Sequence, residues 1–447
     1  MAQPVIQEPP SSDFEPQRAW YNPRTFAAFD FGPFRWYMGA MIWWNAAMSM
    51  QMIVRGYLAF HMTDTFVSLG IVGLGSAIPM LLLSPFGGVI ADRTSKRLVL
   101  QIGQSFSFVI AVVVATLLFM DVLVFWHLVV ASVAQGVMMA LVMPSRQALL
   151  PEVVGMKRLM NAIPLQTAGM NLMQIIGPAI GGPLIDWIGA GAVYVIMAGM
   201  YTVSVVMLFG VKTLSPEEIE ASRTQGMGAG PSGGRGRTAR GPLGPRRGST
   251  LSELKAGLVY VRTDRTVLSI LSFAFLGAVL GMPIRMLLPG YVSEVYGDTG
   301  TTLGVMQMGM GFGALAGALA LATIRMRENR GLLLAGSSLL MGVAMIGFSA
   351  TGVFAIGWVG LLVIGIGSAG RQAMSQILVQ EYVEDEYRGR IMSFFMMQFS
   401  MMSIGTLVVA IYMDHVGPQF AIGSLGAALI IATLAYLALV PRFRRLN

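Results

Sequence analysis

Three arginines stand deep inside apolar sequence, and they are the residues with the clearest capacity for chemistry: Arg55, Arg285 and Arg371. A guanidinium group stays charged in proteins and offers five donors in a planar fork that matches carboxylate and phosphate oxygens. No carboxylate stands at mid-segment to neutralise these charges, since Glu294 lies near the end of its own segment. The set therefore favours anionic or hydrogen-bond-accepting ligands. The alternatives are that Arg55 reaches the membrane surface and that Arg371 bonds helix carbonyls.

The same apolar segments carry aromatic, amide and thioether side chains that could wrap a bulky, partly apolar ligand. The predicted ligand-contact residues are Trp44, Asn45, Met48, Gln51, Arg55, Met282, Arg285, Met286, Arg371 and Gln398. For each neutral member taken singly, ordinary packing or interfacial anchoring is the better interpretation.

Other chemical patterns in the sequence are weak. The chain has no cysteine, and its histidines, His61, His127 and His415, are too scattered to predict a metal site. The glycines of residues 365–370 fit a dinucleotide-binding pattern but lie in an apolar run with no preceding strand. No zinc-protease, nucleophile-elbow or P-loop pattern occurs. We therefore expect no enzyme, no cofactor, no metal and no ATP-driven pump.

The elements that position these residues are membrane-spanning helices. Of the 447 residues, 55% are hydrophobic and only 12% are charged, against roughly 25% charged in soluble proteins. Twelve apolar runs are each long enough to cross about 30 Å of hydrocarbon. They lie at about 36–61, 66–91, 98–120, 124–149, 161–186, 190–211, 266–293, 301–324, 332–351, 353–380, 391–413 and 419–440. We predict an all-α membrane protein with twelve transmembrane helices, named spans one to twelve in chain order.

The runs fall into two sets of six separated by a polar stretch. The predicted organisation is a cytoplasmic tail at 1–33, a six-helix half at 34–213, a flexible basic linker at 214–248, a second half at 249–441 that begins with an amphipathic helix, and a cytoplasmic tail at 442–447. The linker arginines could be read as an RNA-binding Gly-Arg tract. Beside a membrane, a basic loop near anionic lipid is the better interpretation, so we expect the bilayer and no nucleic acid as a partner.

Charges divide the connecting loops into two classes. Lys and Arg follow the even-numbered spans, whereas the opposite loops hold Asp64, Asp121, Asp186, Asp298 and Asp414 and no basic residue. We call these two ends of the molecule the basic face and the acidic face. Because cytoplasmic loops retain positive charge, we predict a plasma-membrane protein with both termini in the cytoplasm.

An internal repeat relates the two halves. Residues 55–72 align without gaps on 289–306 with six identities, among them Gly56 with Gly290, and the sequence Asp-Trp-Ile-Gly at 186–189 matches Asp-His-Val-Gly at 414–417. Because the repeated unit has an even number of spans, both halves share one orientation. Such duplication predicts a site between the halves that opens alternately to each side.

The segment from Gly88 to Arg97, Gly-Val-Ile-Ala-Asp-Arg-Thr-Ser-Lys-Arg, resembles the signature of the major facilitator superfamily, with Ser95 in place of its second glycine. The resemblance implies a major facilitator fold with two pseudo-symmetric halves. It also implies a cytoplasmic gate in which Asp92 meets the start of span eleven. The implied gating residues are Gly88, Asp92, Arg93, Arg97, Arg388 and Arg390.

Two further stretches, 144–151 and 386–393, resemble the branch of this family that contains the enterobactin exporter. A third stretch, which includes Gly177, Pro178, Gly181 and Gly182, is similar to the helix-packing antiporter motif of drug exporters. The family's proton-relay arginine in span four is replaced by Ser132, which weakens the case for proton coupling through that helix.

The resemblance implies a monomeric secondary active transporter that exports amphipathic or anionic small molecules, siderophore- or drug-like, with a proton or another ion as coupling partner. The alternatives are a lysophospholipid or lipid translocator and, from another class, a non-transporting membrane receptor or scaffold.

Overall fold

The computed structural model describes residues 28–213, 259–297, 299–323, 330–384, 387, 391–392, 394–395 and 398–440. These residues are nearly all α-helical and include no strand. Most of the N-terminal tail, the linker, the first part of the predicted amphipathic helix up to residue 258, Asp298, Arg388, Arg390 and the C-terminal tail lie outside them. The domain boundaries therefore stay predictions.

The described helices form the twelve predicted spans, six in each pseudo-symmetric half, which confirms the fold class. Spans one to three are Gly32–His61, Phe66–Arg93 and Lys96–Phe119; spans four to six form the helical run Phe125–Phe209, interrupted at Gly155 and Gly189; span seven comprises Arg265–Gly281 and Pro283–Tyr296; spans eight to twelve are Gly300–Thr323, Arg330–Ser349, Phe354–Tyr382, Gln398–Val416 and Pro418–Leu439.

Two glycines make the tight turns that let consecutive spans reverse direction. Gly189 ends span five with φ 79° and ψ 157°, and Gly417 ends span eleven with φ 85° and ψ 152°. Side chains disfavour this backbone region, whereas glycine enters it at little cost. The last glycine of the repeated Asp-x-x-Gly sequence is thus explained by the turn that each half makes at the same point.

The outer surface of the bundle is apolar, as a bilayer requires. Nine helical stretches within the described ranges are long and apolar enough to cross a membrane, and one of them, Asn161–Phe209, contains both span five and span six. Large apolar side chains such as Leu82, Trp126 and Phe209 are more than 60% exposed. Lipid tails rather than water are the natural surroundings of such a surface.

Small residues allow close helix contacts. In span eight, Gly309, Gly313 and Gly317 lie against span ten, where a Cβ on any of them would collide with the neighbouring helix. In span five, Gly177 and Gly181 lie against span one, at Ser49 and Met50 respectively. Van der Waals contact at short range is the main attraction between helices in lipid, so these positions favour small residues.

Ion pairs on the basic face repeat the symmetry of the fold. Lys96 Nζ lies 2.7 Å from Glu152 Oε1, which joins the start of span three to the end of span four. At the equivalent positions of the second half, Arg330 pairs with Glu381 and joins spans nine and ten. Each pair lies within one half and does not cross between the halves.

Candidate functional site

Spans one and seven, the first helices of the two halves, cross at the glycines of the repeat. A Cβ on Gly56 would lie 2.9 Å from Pro289 of span seven, and a Cβ on Gly290 would lie 2.6 Å from Phe60 of span one. The repeated glycines are therefore needed for this crossing. Arg55 directly precedes the first of them, and Arg285 precedes the second by little more than one helical turn.

Arg285 connects the two halves. Its Nη2 donates a hydrogen bond of 2.9 Å to Oε1 of Gln174 in span five, whereas its Nε is buried and has no partner among the described residues. Span five belongs to the first half and span seven to the second. The structure therefore places this predicted contact residue at the interface between the halves, with donor capacity left over.

Met282 and Met286 flank Arg285. Met282 lies at the break within span seven, between Gly281 and Pro283. The Met286 sulfur accepts a hydrogen bond of 3.7 Å from the Thr406 hydroxyl of span eleven. Its methyl group faces Gly73 of span two, in the opposite half. This turn of span seven thus contacts helices of both halves.

In the first half, Gln51 and Arg55 belong to a polar group buried inside the helix bundle. The Tyr201 hydroxyl donates a hydrogen bond of 2.8 Å to Gln51 Oε1, and the amide nitrogen of Gln51 is buried without a partner among the described residues. Arg55 lies near the hydroxyls of Tyr194 and Tyr201 in span six. Its Nη1 is also buried and unpaired, so Arg55 does not extend this nitrogen to the membrane surface.

The other predicted ligand-contact residues of span one make their contacts inside the first half. Trp44 is 2% exposed and lies under the Arg146 guanidinium, 5.3 Å from ring centre to Cζ. Asn45 donates a hydrogen bond of 2.6 Å to the Met41 carbonyl of its own helix. The Met48 sulfur accepts a hydrogen bond of 3.4 Å from Gln135 Nε2 of span four.

Arg371 of span ten is completely buried in the second half, at 0% exposure. None of its three guanidinium nitrogens has a hydrogen-bond partner among the described residues, so the helix-carbonyl alternative is not seen. Its Nη1 lies against Gly277 of span seven. The Ser375 hydroxyl and Gln398 Nε2 are likewise buried and unpaired in the described part of the chain.

Two carboxylates join the halves at the acidic face. Asp186, at the end of span five, accepts bonds of 2.7 Å from the backbone N–H groups of Gly300 and Thr301, which begin span eight. Asp414, at the equivalent end of span eleven, accepts 2.7 Å from Phe66 N and 3.1 Å from Val67 N, which begin span two. Each carboxylate occupies the N-terminus of a helix in the opposite half, where the helix dipole favours negative charge. We call these contacts the inter-half caps.

The predicted cytoplasmic gate is only partly within the described residues. Arg388 and Arg390 lie outside them, as do the surroundings of Gly88 and the side chain of Asp92. Arg93 is exposed at the end of span two. Arg97 donates bonds of 2.8 and 2.9 Å to the carbonyls of Phe209 and Val211 at the end of span six, a contact within one half. The gate stays a prediction.

The tyrosines near Arg55 and the contacts of Asp186 and Asp414 were not predicted from the sequence. Tyr194 and Tyr201 are seven residues apart, a spacing that places them on one helix face and was a usable signal. Asp186 and Asp414 stood out as matched residues of the repeat. Their role as inter-half caps depends on which helix ends meet, which the pattern alone does not encode.

Known proteins resemble the chain over most of its length. The family model of the Major Facilitator Superfamily matches residues 36–406. The chain is 23% identical over 371 residues to the staphyloferrin A transporter of Staphylococcus aureus, an alignment that covers 83% of this chain and 87% of the relative. It is 22% identical over 424 residues to macrolide efflux protein A of Streptococcus pyogenes, with 91% and 96% covered.

Among solved structures, a crystal structure of a peptide transporter is similar with a TM-score of 0.69 at 12% identity, and covers 92% of this chain and 95% of its own. At this level of identity the similarity shows a shared fold.

Proposed function

Because the chain belongs to the major facilitator superfamily and is a membrane transporter rather than an enzyme, we propose that it exports amphipathic, anionic or hydrogen-bond-accepting small molecules of the siderophore or drug class. The observation that carries the proposal is the position of Arg285. Its guanidinium lies at the interface of the halves and has a buried donor, Nε, without a partner among the described residues. A permanent cation placed there favours a ligand that brings oxygen acceptors or negative charge.

The names of the relatives are compatible with this substrate class. One relative is a transporter of staphyloferrin A and another is a macrolide efflux protein. The cation at Arg285 is flanked by Met282 and Met286, whose flexible thioethers adapt to ligands of different shape. A ligand with an anionic group beside a larger apolar body would contact both the arginine and the methionines.

The proposed transport cycle is alternating access driven by an ion gradient, with a proton or another ion as coupling partner and a monomer as the working unit. We place the acidic face outside the cell and both termini in the cytoplasm, following the charge distribution of the loops. The inter-half caps then hold the external side closed in this conformation, and their opening exposes the interface to the outside.

The test is transport by the purified protein in sealed liposomes, with staphyloferrin A and a macrolide as probes under an imposed proton gradient. We expect Arg285→Ala to weaken affinity for the transported probe about 10- to 150-fold, since a charged hydrogen bond contributes about 1.5–3 kcal/mol. Arg158→Ala is the matched control, because it removes the same charge from an exposed position on the basic face.

Normal transport by Arg285→Ala would show that this residue is structural and would remove the main support for an anionic substrate. Transport of a lysophospholipid but of neither probe would favour lipid translocation. Failure of the wild-type protein to move any of the three would favour the receptor or scaffold alternative.

A further inference from the structure

The second half contains a group of buried hydrogen-bond donors away from Arg285. Arg371, Ser375 and Gln398 are 0%, 1% and 2% exposed, and each has polar atoms without a partner among the described residues. We propose that these three side chains form a subsite that binds a single carboxylate group. The proposal rests on the proposed function only for the source of that carboxylate, the transported substrate or a free small acid.

Arg371 and Gln398 lie on the membrane-centre side of one buried apolar cluster, and Ser375 lies one helical turn from Arg371 towards the basic face. Ala274 of span seven, Met374 of span ten and Phe395 beside span eleven belong to one buried apolar cluster. Spans seven and eleven run from the basic to the acidic face, and span ten runs the opposite way. Gly277 and Gln398 come about one turn after Ala274 and Phe395, whereas Arg371 comes about one turn before Met374. All three therefore lie on the membrane-centre side of the apolar cluster.

Direct contact supports this arrangement. A Cβ built on Gly277 would lie 2.7 Å from Nη1 and 3.2 Å from Cζ of Arg371, so the guanidinium packs against bare backbone of span seven. Ser375 is four residues after Arg371 on the same helix and shares its face. The guanidinium is held by packing and not by hydrogen bonds.

The positive charge of Arg371 favours an anionic ligand at this subsite. Arg371 cannot lose its proton, and a buried cation without a counter-charge is one of the most unfavourable arrangements in a protein. Within the described side chains, every Asp and Glu lies outside the spans or within about one turn of a span end, and none is at the level of Arg371. A neutral partner would satisfy the donors but would leave the charge uncompensated.

The chemistry selects a carboxylate. Two oxygens of one planar group match the guanidinium fork in bidentate geometry, and the hydroxyl of Ser375, one turn away on the same helix face, can donate to the same oxygens. The amide of Gln398 is the proposed third donor. One guanidinium balances one negative charge. A doubly charged phosphate would bring an excess charge into a buried site, which is unfavourable.

The test compares thermal unfolding of the purified full-length protein in sodium acetate and in sodium chloride at equal ionic strength. We expect acetate to raise the unfolding temperature by about 2 °C or more above chloride, because a ligand of the folded state stabilises it by mass action. Arg371→Gln should abolish that difference. Equal unfolding temperatures of the wild type in the two salts would overturn the proposal, as would an acetate effect retained in Arg371→Gln.

A second variant keeps the proposal testable if Arg371→Gln does not fold. Gly277→Ala retains the charge but pushes a methyl group into Nη1, so we expect it to reduce the acetate effect by at least half. Gly336→Ala in span nine is its control, since a Cβ there meets nothing within 4 Å. Equal acetate effects in the two glycine variants would contradict the proposed geometry.

Transport in liposomes then identifies the source of the carboxylate. Acetate that competes with a carboxylate-bearing probe indicates that the substrate supplies the group, whereas acetate that stimulates transport indicates a free acid. The thermal test requires no transport. An acetate effect in a protein that moves no probe would therefore reject the proposed export function and keep the subsite.

Discussion

At the residue scale, the hydrogen bond between Tyr201 and Gln51 is a buried polar contact inside the first half. The Tyr201 side chain is fully buried, and its hydroxyl is the described partner of Gln51 Oε1 at 2.8 Å. We expect Tyr201→Phe to destabilise the protein by about 1–3 kcal/mol, because it leaves a buried amide oxygen without its donor. Thermal unfolding of the purified variant measures this change.

Tyr412→Phe is the matched control for Tyr201→Phe. The Tyr412 hydroxyl accepts a bond of 3.3 Å from Ser424, and Ser424 keeps a second acceptor in the Ala421 carbonyl at 2.8 Å. The control should change stability by less than about 0.5 kcal/mol. Equal unfolding temperatures of the two variants would show that the buried amide has found another partner.

The arginines of the site could be predicted from sequence and their partners could not. A charge in the middle of an apolar run is expensive, so Arg55, Arg285 and Arg371 stand out without any structure. Gln174, which binds Arg285, is separated from it by 111 residues and lies in another span. Only the way the two halves meet brings them together, and no local pattern records that arrangement.

At the element scale, the inter-half caps make the N-termini of spans two and eight sensitive to the charge of Asp186 and Asp414. Both carboxylate oxygens of each aspartate accept backbone hydrogen bonds from the opposite half. Replacing both aspartates by asparagine removes the charge and half of the acceptors. We expect the double variant to shift the population towards a conformation that is open at the acidic face.

Spin labels at Met62 and Val416 report this opening, because they lie on opposite halves at the acidic face and both are exposed. The distance between them should increase in Asp186→Asn/Asp414→Asn. Asp121→Asn is the control, since it removes one negative charge from the same face without touching a cap, and asparagine tolerates the positive φ of 54° at that position. An unchanged distance distribution in the double variant would refute this role of the caps.

The elements themselves were largely readable from the sequence. Apolar length gave twelve spans, and the repeat at Asp186 and Asp414 indicated that the halves turn alike. The one-residue reversals at Gly155 and Gly189, within the run from Phe125 to Phe209, were not expected, because they need single residues of unusual φ and ψ rather than a loop. Composition identifies a long connection more readily than a one-residue turn.

At the scale of the whole molecule, the two faces differ in how the halves are joined. On the basic face, the described ion pairs Lys96–Glu152 and Arg330–Glu381 each lie inside one half. On the acidic face, the caps of Asp186 and Asp414 cross between the halves. Opening the acidic face therefore requires the loss of a few inter-half bonds while each half keeps its own, which suits two bodies that rock about a central interface.

The orientation of that movement in the membrane is tested by labelling single cysteines at the two ends of span three. The chain has no cysteine, so Thr94→Cys on the basic face and Met120→Cys on the acidic face each give one exposed thiol in a clean background. Because Lys and Arg are retained in cytoplasmic loops, we expect a membrane-impermeant maleimide on intact cells to label Met120→Cys and to leave Thr94→Cys unmodified until the membrane is opened. The reverse pattern would place the acidic face in the cytoplasm, and the caps would then close the inner side of the transporter.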